Sequence, residues 1–333
     1  MDCRPLASDL NAWLLRTLTL RLRVTQWLWL APLFIIVFVA NGTAMAANSS
    51  CFTIRSSVVT PNREAVFSNL TNGAAGRNLV EALLDGDIVA VGRMLTADPR
   101  LATTEVVYNA AHYDVRPVGQ YGDLLTLAVG SCHPEMLAAL LDMRLPPDGQ
   151  QIGSALSLAV MADTPVMAEL LLRAGASPDP QKRGGANVAY EVMAYGNIGA
   201  MMTLIRYGLD MVWVDEIGNG HLQIAVDMEQ YRIAELMVDR GAKLWQVSGA
   251  GAMPVQNLTR NLVFSSKQED GARIRLIDRA KASGLPWPPP TFSEVTPMVK
   301  AGKWPTQTMQ VAGMRVPVES LAHMQLLSGE KAN

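Results

Sequence analysis

The sequence predicts an all-α solenoid, in which pairs of short helices repeat along the chain. Four residues that suit a helix N-terminus follow one another at intervals of 31, 33 and 33 residues: Asp123, Ser154, Asn187 and Gly220. Five residues after each comes a small or apolar pair, and a second apolar pair follows twelve residues later. In three units a glycine then ends the pattern. A period near 33 with two helices and a glycine stop is typical of helical repeat proteins.

The two helices of a unit differ in side-chain size. First helices are rich in small and medium residues, such as Ala155 and Ala159, which allows neighbouring units to approach closely. Second helices have larger apolar residues at helical spacing, such as Leu170 and Leu171. One such pair cannot bury its apolar face alone, so at least three units must stack to form a core.

This pattern resembles the ankyrin repeat. The stretch LLLRAGASPD, which ends at Asp179, resembles the end of an ankyrin unit, and SALSLAV, NVAYEVM and GHLQIAV stand where that family has T-P-L-H-x-A-A. The Thr-Pro-Leu-His tetrad is absent from each unit, so the repeats are degenerate and we expect apolar packing to hold them. The resemblance implies an all-α, ankyrin-type helical solenoid of about five to six helix–turn–helix units over residues 77–284, with an insertion at 100–120.

The N-terminus has the pattern of a secretory signal. Four arginines precede an uncharged apolar run at 27–40, and Ala44-Met45-Ala46 fits an A-x-A cleavage site. The run of about 14 residues is shorter than the roughly 20 that span a bilayer. We therefore predict a signal peptide at 1–46 and a periplasmic location in a bacterium. Extension of the run to Val24 leaves open an uncleaved anchor in the inner membrane that faces the periplasm.

Two of the three cysteines lie beyond the predicted signal. Cys51 falls in a leader at 47–76, and Cys132 falls at the turn between the two helices of its unit. An oxidising compartment permits a disulfide between them, which would attach the leader to the solenoid. Two unpaired thiols are the alternative.

The loops between units are the expected binding surface. In ankyrin-type proteins such loops project as fingers and line a concave face together with the first helices. The resemblance implies fingers at 146–152, 178–186 and 210–219. The predicted partner-binding residues are Met211, Trp213, Asp215 and Glu216 in the third finger, Lys182 and Arg183 in the second, and Tyr113 and Arg116 in the insertion. The alternatives are that Trp213 packs on a neighbouring finger and that the basic pair is only solvated.

The C-terminal region, 285–333, departs from the repeats. Residues 284–290 read GLPWPPP, and successive prolines end a helix and continue as extended chain. We expect a cap in which Trp287 and Trp304 lie over the last unit. A proline-rich ligand for another module is the weaker alternative.

Composition and motifs point away from chemistry and nucleic acid. Without residues 1–46 the chain has 24 basic and 28 acidic residues, a net charge of about −4, with no basic stripe. The four histidines, His112, His133, His221 and His323, have no zinc-site spacing, and nucleophile or phosphate-loop motifs are absent. The sequence predicts no metal, no cofactor and no catalytic residue.

The expected function is protein–protein binding outside the cytoplasm. One form is an immunity protein that neutralises a toxin active in the periplasm. Another is an envelope scaffold that supports a different exported enzyme. A third hypothesis, an enzyme that uses the insertion around His112, belongs to a different class and is the least favoured.

Overall fold

The computed structural model describes residues 51–52, 62–107, 122–149, 154–162, 164–179, 187–248, 251–260 and 266–327. All of them belong to one compact unit, Ser50–Asn333. The predicted signal peptide at 1–46 lies outside the described residues. None of the helices in the described segments is both long and apolar enough to cross a bilayer.

The described residues form helical hairpins in chain order. The helices are α1 (Arg63–Ser68), α2 (Gly73–Leu84), α3 (Ile88–Ala97), α4 (Leu124–Gly130), α5 (Pro134–Asp142), α6 (Ser154–Ala159), α7 (Val166–Arg173), α8 (Val188–Ala194), α9 (Ile198–Arg206), α10 (His221–Asp227), α11 (Tyr231–Asp239), α12 (Pro254–Asn257), α13 (Lys267–Ala282), α14 (Phe292–Lys300), α15 (Gln307–Val311) and α16 (Val318–Leu327). A 3₁₀ helix spans Pro99–Thr103, and the strands are β1 (Glu105–Val106) and β2 (Gly122–Asp123).

Consecutive hairpins stack into a solenoid. The first helices α2, α4, α6, α8, α10 and α12 each contact the next first helix, and the second helices α5, α7, α9, α11 and α13 do the same. The buried apolar side chains form one continuous core from Phe52 to Met324. The predicted all-α solenoid of about five to six units is confirmed.

Local capping explains why the helices begin where the sequence predicts. Asp123 accepts a hydrogen bond from the Thr126 amide at 2.9 Å, and Asn187 accepts one from the Tyr190 amide at 2.9 Å. The Thr126 hydroxyl also donates to Asp123 at 3.0 Å. This unit lacks the family's Thr-Pro-Leu-His tetrad. The bond between the Thr126 hydroxyl and the Asp123 carboxylate supplies a local contact at that turn, in addition to the apolar packing that we expected.

The predicted ends of the second helices also have a physical cause. Gly175, Gly208 and Gly241 have φ of 102°, 93° and 100°, a left-handed conformation that glycine adopts without a Cβ penalty. The amide after each returns to a carbonyl of the second helix, as Leu209 does to Leu204 at 3.0 Å. Arg144 holds the equivalent position in the α4–α5 unit with φ of 68°.

Ion pairs join some second helices across the outer face. Glu169 of α7 pairs with Arg206 of α9 at 2.5 Å. Glu235 of α11 accepts two bonds of 2.7 Å from Arg275 of α13, and these bonds lower the pKa of Glu235. The polar residues on these helices therefore help to fix the register between neighbours.

The insertion begins as a short antiparallel hairpin. β1 pairs with β2 so that Glu105 lies opposite Asp123 and Val106 opposite Gly122. The Thr71 amide donates to the Glu105 carbonyl at 3.0 Å, which joins the segment before α2 to β1. Residues 108–121, which hold the predicted contacts Tyr113 and Arg116, lie outside the described residues.

The C-terminal arm, defined here as residues 285–327, packs back on the solenoid. Trp304 is buried, and Trp287 is half-buried with the Lys281 ammonium 5.4 Å from its ring centroid. The arm also reaches back to the third finger. The Ser320 hydroxyl lies 3.4 Å from the Gly218 carbonyl oxygen and 3.3 Å from the carbonyl oxygen of Val247. Ser320 is completely buried by this contact with the third finger.

Candidate functional site

The third finger, residues 210–219, is a turn closed by its own hydrogen bonds. Val214 bridges Gly220 in antiparallel register, and the Gly218 amide donates to the Asp215 carbonyl at 3.0 Å. The Asp215 carboxylate accepts from the Ile217 amide at 3.0 Å and the Asn219 amide at 2.8 Å. An aspartate that binds the backbone two and four residues ahead closes a turn.

The two acids predicted to contact a partner, Asp215 and Glu216, lie in different environments. Asp215 is half-buried and its oxygens receive the bonds of its own turn, so its main role in the structure is to shape the finger. Glu216 is exposed at the tip and forms no ion pair among the described residues. Glu216 is thus the predicted acid that stays open to solvent.

Trp213 packs on a histidine of its own unit. Its ring stacks on His221 with centroids 4.4 Å apart and planes inclined by 16°. His221 is buried, and its Nε2 lies 3.5 Å from Oδ1 of Asp179 in the second finger. This corrects the expectation that, if Trp213 packs, it does so on a neighbouring finger. His221 thus positions the indole.

Aspartates connect successive fingers. Asp148 accepts a bond from the Ser177 amide at 2.7 Å, and Asp179 accepts one from the Asp210 amide at 2.6 Å. These bonds hold the base of each finger against the next. Residues 180–186, with the predicted contacts Lys182 and Arg183, lie outside the described residues.

Apolar side chains of the third finger face solvent. Val212 is 84% exposed and Ile217 is 42% exposed, although the amide of each donates a hydrogen bond, to Asp210 and Asp215 respectively. Met211, another predicted contact, is half-buried against the core. A rigid loop that presents aliphatic side chains loses little conformational entropy when a partner covers them.

A cleft of about 500 Å³ separates the third finger from the C-terminal arm. Trp213, Leu222 and Val247 contribute apolar wall, while Lys243 and Arg315 lie on its rim. The arm thus forms one side of the cleft, which no repeat signal indicated. Gly218 makes the approach possible, because an added Cβ there would lie 2.0 Å from the Ser320 hydroxyl.

A second cavity of about 460 Å³ lies at the opposite turns, beside α8, α10 and α12. Tyr231 lines it, and burial raises the pKa of its hydroxyl, with a smaller contribution from Glu229. Among the described residues, no group of three or more His, Cys, Asp or Glu side chains is arranged to hold a metal ion.

The leader is attached to the solenoid by a disulfide. Cys51 and Cys132 are bonded, with their Cα atoms 5.6 Å apart. The Cys51 amide also donates to the Cys132 sulfur at 2.8 Å. Cys132 occupies the turn between α4 and α5 with φ of 58°, and Phe52 beside the bridge is buried in the core.

Two helices per unit recur along the described part of the chain, and Arg144, Gly175, Gly208 and Gly241 place a left-handed residue after the second helix of four of these units. The fold is an ankyrin-type solenoid. No protein-family model matches the sequence, and no curated protein is significantly similar to it. Among solved structures, the chain is similar to the ankyrin repeat domain of Bcl-3, described as a unique member of the IkappaB protein family. That match has 18% sequence identity and a TM-score of 0.46, and it covers 61% of this chain and 85% of that one.

Proposed function

We propose that this chain is an exported protein that binds another protein through its third finger and the adjoining concave face. The observation that carries the proposal is the exposure of Val212 and Ile217 on a finger whose backbone is fixed by Asp215.

Export is part of the proposal. It is supported by the signal-like pattern at 1–46 and by the bond between Cys51 and Cys132, because structural disulfides persist mainly in oxidising compartments. Sequencing the N-terminus of the chain recovered from the periplasm tests this point. A start at Ala47 agrees with cleavage, whereas a start at Met1 requires an anchored form.

The proposed role is binding without catalysis. An immunity protein that neutralises a periplasmic toxin and a scaffold that supports an exported enzyme are two forms of it. The captured protein distinguishes them: a phospholipase or wall hydrolase that loses activity on binding indicates immunity, and an enzyme that keeps its activity indicates a scaffold.

The test compares single substitutions on exposed aliphatic residues. Val212→Asp and Ile217→Asp place a charge on the finger, and Val89→Asp is the matched control on α3, where Val89 is 70% exposed. Each should change the free energy of unfolding by only about 0.5 kcal/mol, as is usual for exposed sites. A protein captured from the envelope, identified and then purified, should bind the control and wild type equally and the finger variants at least about tenfold more weakly.

Equal affinity for all four proteins would refute the finger as the contact. Loss of binding in the Val89 variant as well would place the interaction on another face of the solenoid.

A further inference from the structure

The cleft between the third finger and the C-terminal arm has an apolar wall of fixed orientation. Trp213 is held by its stack on His221, and Leu222 and Val247 are buried beside it. Its volume of about 500 Å³ lies within the range of roughly 300–1,000 Å³ that ligand pockets occupy. The wall can therefore receive an apolar side chain without rearranging.

Two buried polar atoms of residues that line the cleft have no hydrogen-bond partner among the described residues. Gln223 donates through Nε2 to Asp227 at 2.9 Å, which fixes the amide, and within the described part of the chain no group donates to its Oε1. No described residue pairs with the Ser248 hydroxyl either, and both residues are more than nine-tenths buried. Buried polar groups in proteins are nearly always satisfied, so an occupant that offers an N–H to Gln223 would remove this cost.

The rim of the cleft is cationic on one side. Lys243 and Arg315 are exposed and form no ion pair among the described residues. Lys243 lies beside Gly313 of the arm, since its Cε would be 3.9 Å from a Cβ added to that glycine. Arg315 is fixed by its Nη1 bonds of 2.8 Å to the Gln310 and Met314 carbonyls.

The acid on the rim is Glu319. It lies in the first turn of α16, where the helix N-terminus offsets a negative charge. The rim thus offers a ligand two cations and one carboxylate, a net positive charge of one.

We infer that this cleft binds the C-terminal residue of a peptide, with its carboxylate at Lys243 and Arg315, its apolar side chain against Trp213, and its N–H at Gln223. A peptide C-terminus combines all three groups within one residue. A fatty acid has the carboxylate and the apolar chain but no N–H for the buried amide oxygen. The inference deepens the proposed function, on which it rests, by naming the part of the partner that the cleft recognises.

The test uses the full chain and three probes. Two are peptides: the acetylated tetrapeptide Ala-Ala-Leu-Phe with a free carboxylate and the same peptide as a C-terminal amide. The third is laurate, a fatty acid without an N–H. Titration calorimetry should give a Kd for the acid that is at least about tenfold lower than that for the amide, because charge-assisted bonds to the carboxylate are lost. The variant Lys243→Ala/Arg315→Ala should bind the acid about tenfold more weakly than wild type. Lys303→Ala, an exposed lysine outside the cleft, is the matched control and should bind as wild type does.

Four outcomes overturn the inference: no binding of the acid peptide, equal binding of acid and amide, an unchanged Kd in the double variant, or tighter binding of laurate than of the peptide. Circular dichroism of the double variant should match wild type, since both side chains are exposed. The tip residue Ile217 does not line the cleft. Partner capture that depends on Ile217 without any peptide binding would therefore preserve the proposed function and reject this inference.

Discussion

Replacing Gly218 with alanine tests the contact between the third finger and the C-terminal arm. Gly218 has φ of 85°, so any other residue there costs about 1–2 kcal/mol from backbone strain. Its Cβ would also lie 2.0 Å from the hydroxyl and 2.8 Å from the Cα of Ser320. Moving α16 to relieve this overlap should cost a further 1–3 kcal/mol or so, the usual range for overpacking. We expect a total loss of about 2–5 kcal/mol.

Gly208→Ala is the matched control. Gly208 has φ of 93°, but a Cβ added there meets no atom within 4 Å, so only the backbone strain of about 1–2 kcal/mol applies. Urea unfolding should therefore give Gly218→Ala the larger loss. Hydrogen exchange should show faster exchange in α16 for that variant alone.

A second variant separates the clash from the strain. Ser320→Ala removes the nearest atom, so the double variant Gly218→Ala/Ser320→Ala should lose less stability than the two single losses combined. Equal losses in Gly218→Ala and Gly208→Ala, with no change in α16 exchange, would refute the proposed packing of the arm on the finger.

Three further changes have expected outcomes. Arg144→Gly should raise the free energy of unfolding by about 1 kcal/mol because it relieves a left-handed arginine with φ of 68°, whereas Arg144→Lys should leave the urea midpoint unchanged. Reducing the Cys51–Cys132 bond frees a loop of 81-residue separation and should lower thermal stability by about 2–4 kcal/mol, while the double serine variant should not respond to the reductant. The lowered pKa of Glu235 means that its pair with Arg275 stabilises the fold above about pH 4.5 and is lost as the pH falls further. Glu235→Gln should show a shallower fall in melting temperature between about pH 5 and 3, and identical slopes would contradict this account.

The solenoid could be predicted because its signals are local and repeated. An N-cap such as Asn187 acts within three residues, and a glycine such as Gly208 acts at its own φ, so the sequence alone contains both. Repetition at 33 residues then distinguishes a regular array from isolated helices.

The candidate site was predicted less completely because its contacts are not periodic. The run from Asp215 to Gly218 is a local turn signal that could have revealed the role of Asp215. Trp213 stacks on His221, whose Nε2 lies 3.5 Å from Asp179 of another finger, and the cleft depends on Ser320, 102 residues beyond Gly218. Neither contact leaves a repeating trace in the sequence.

The bridge between Cys51 and Cys132 also constrains the order of biogenesis. A chain that emerges amino end first exposes Cys51 long before its partner. The covalent attachment of the leader must therefore wait for synthesis to reach the turn between α4 and α5. Until then the Cys51 thiol stays free, and the leader is held only by its non-covalent contacts.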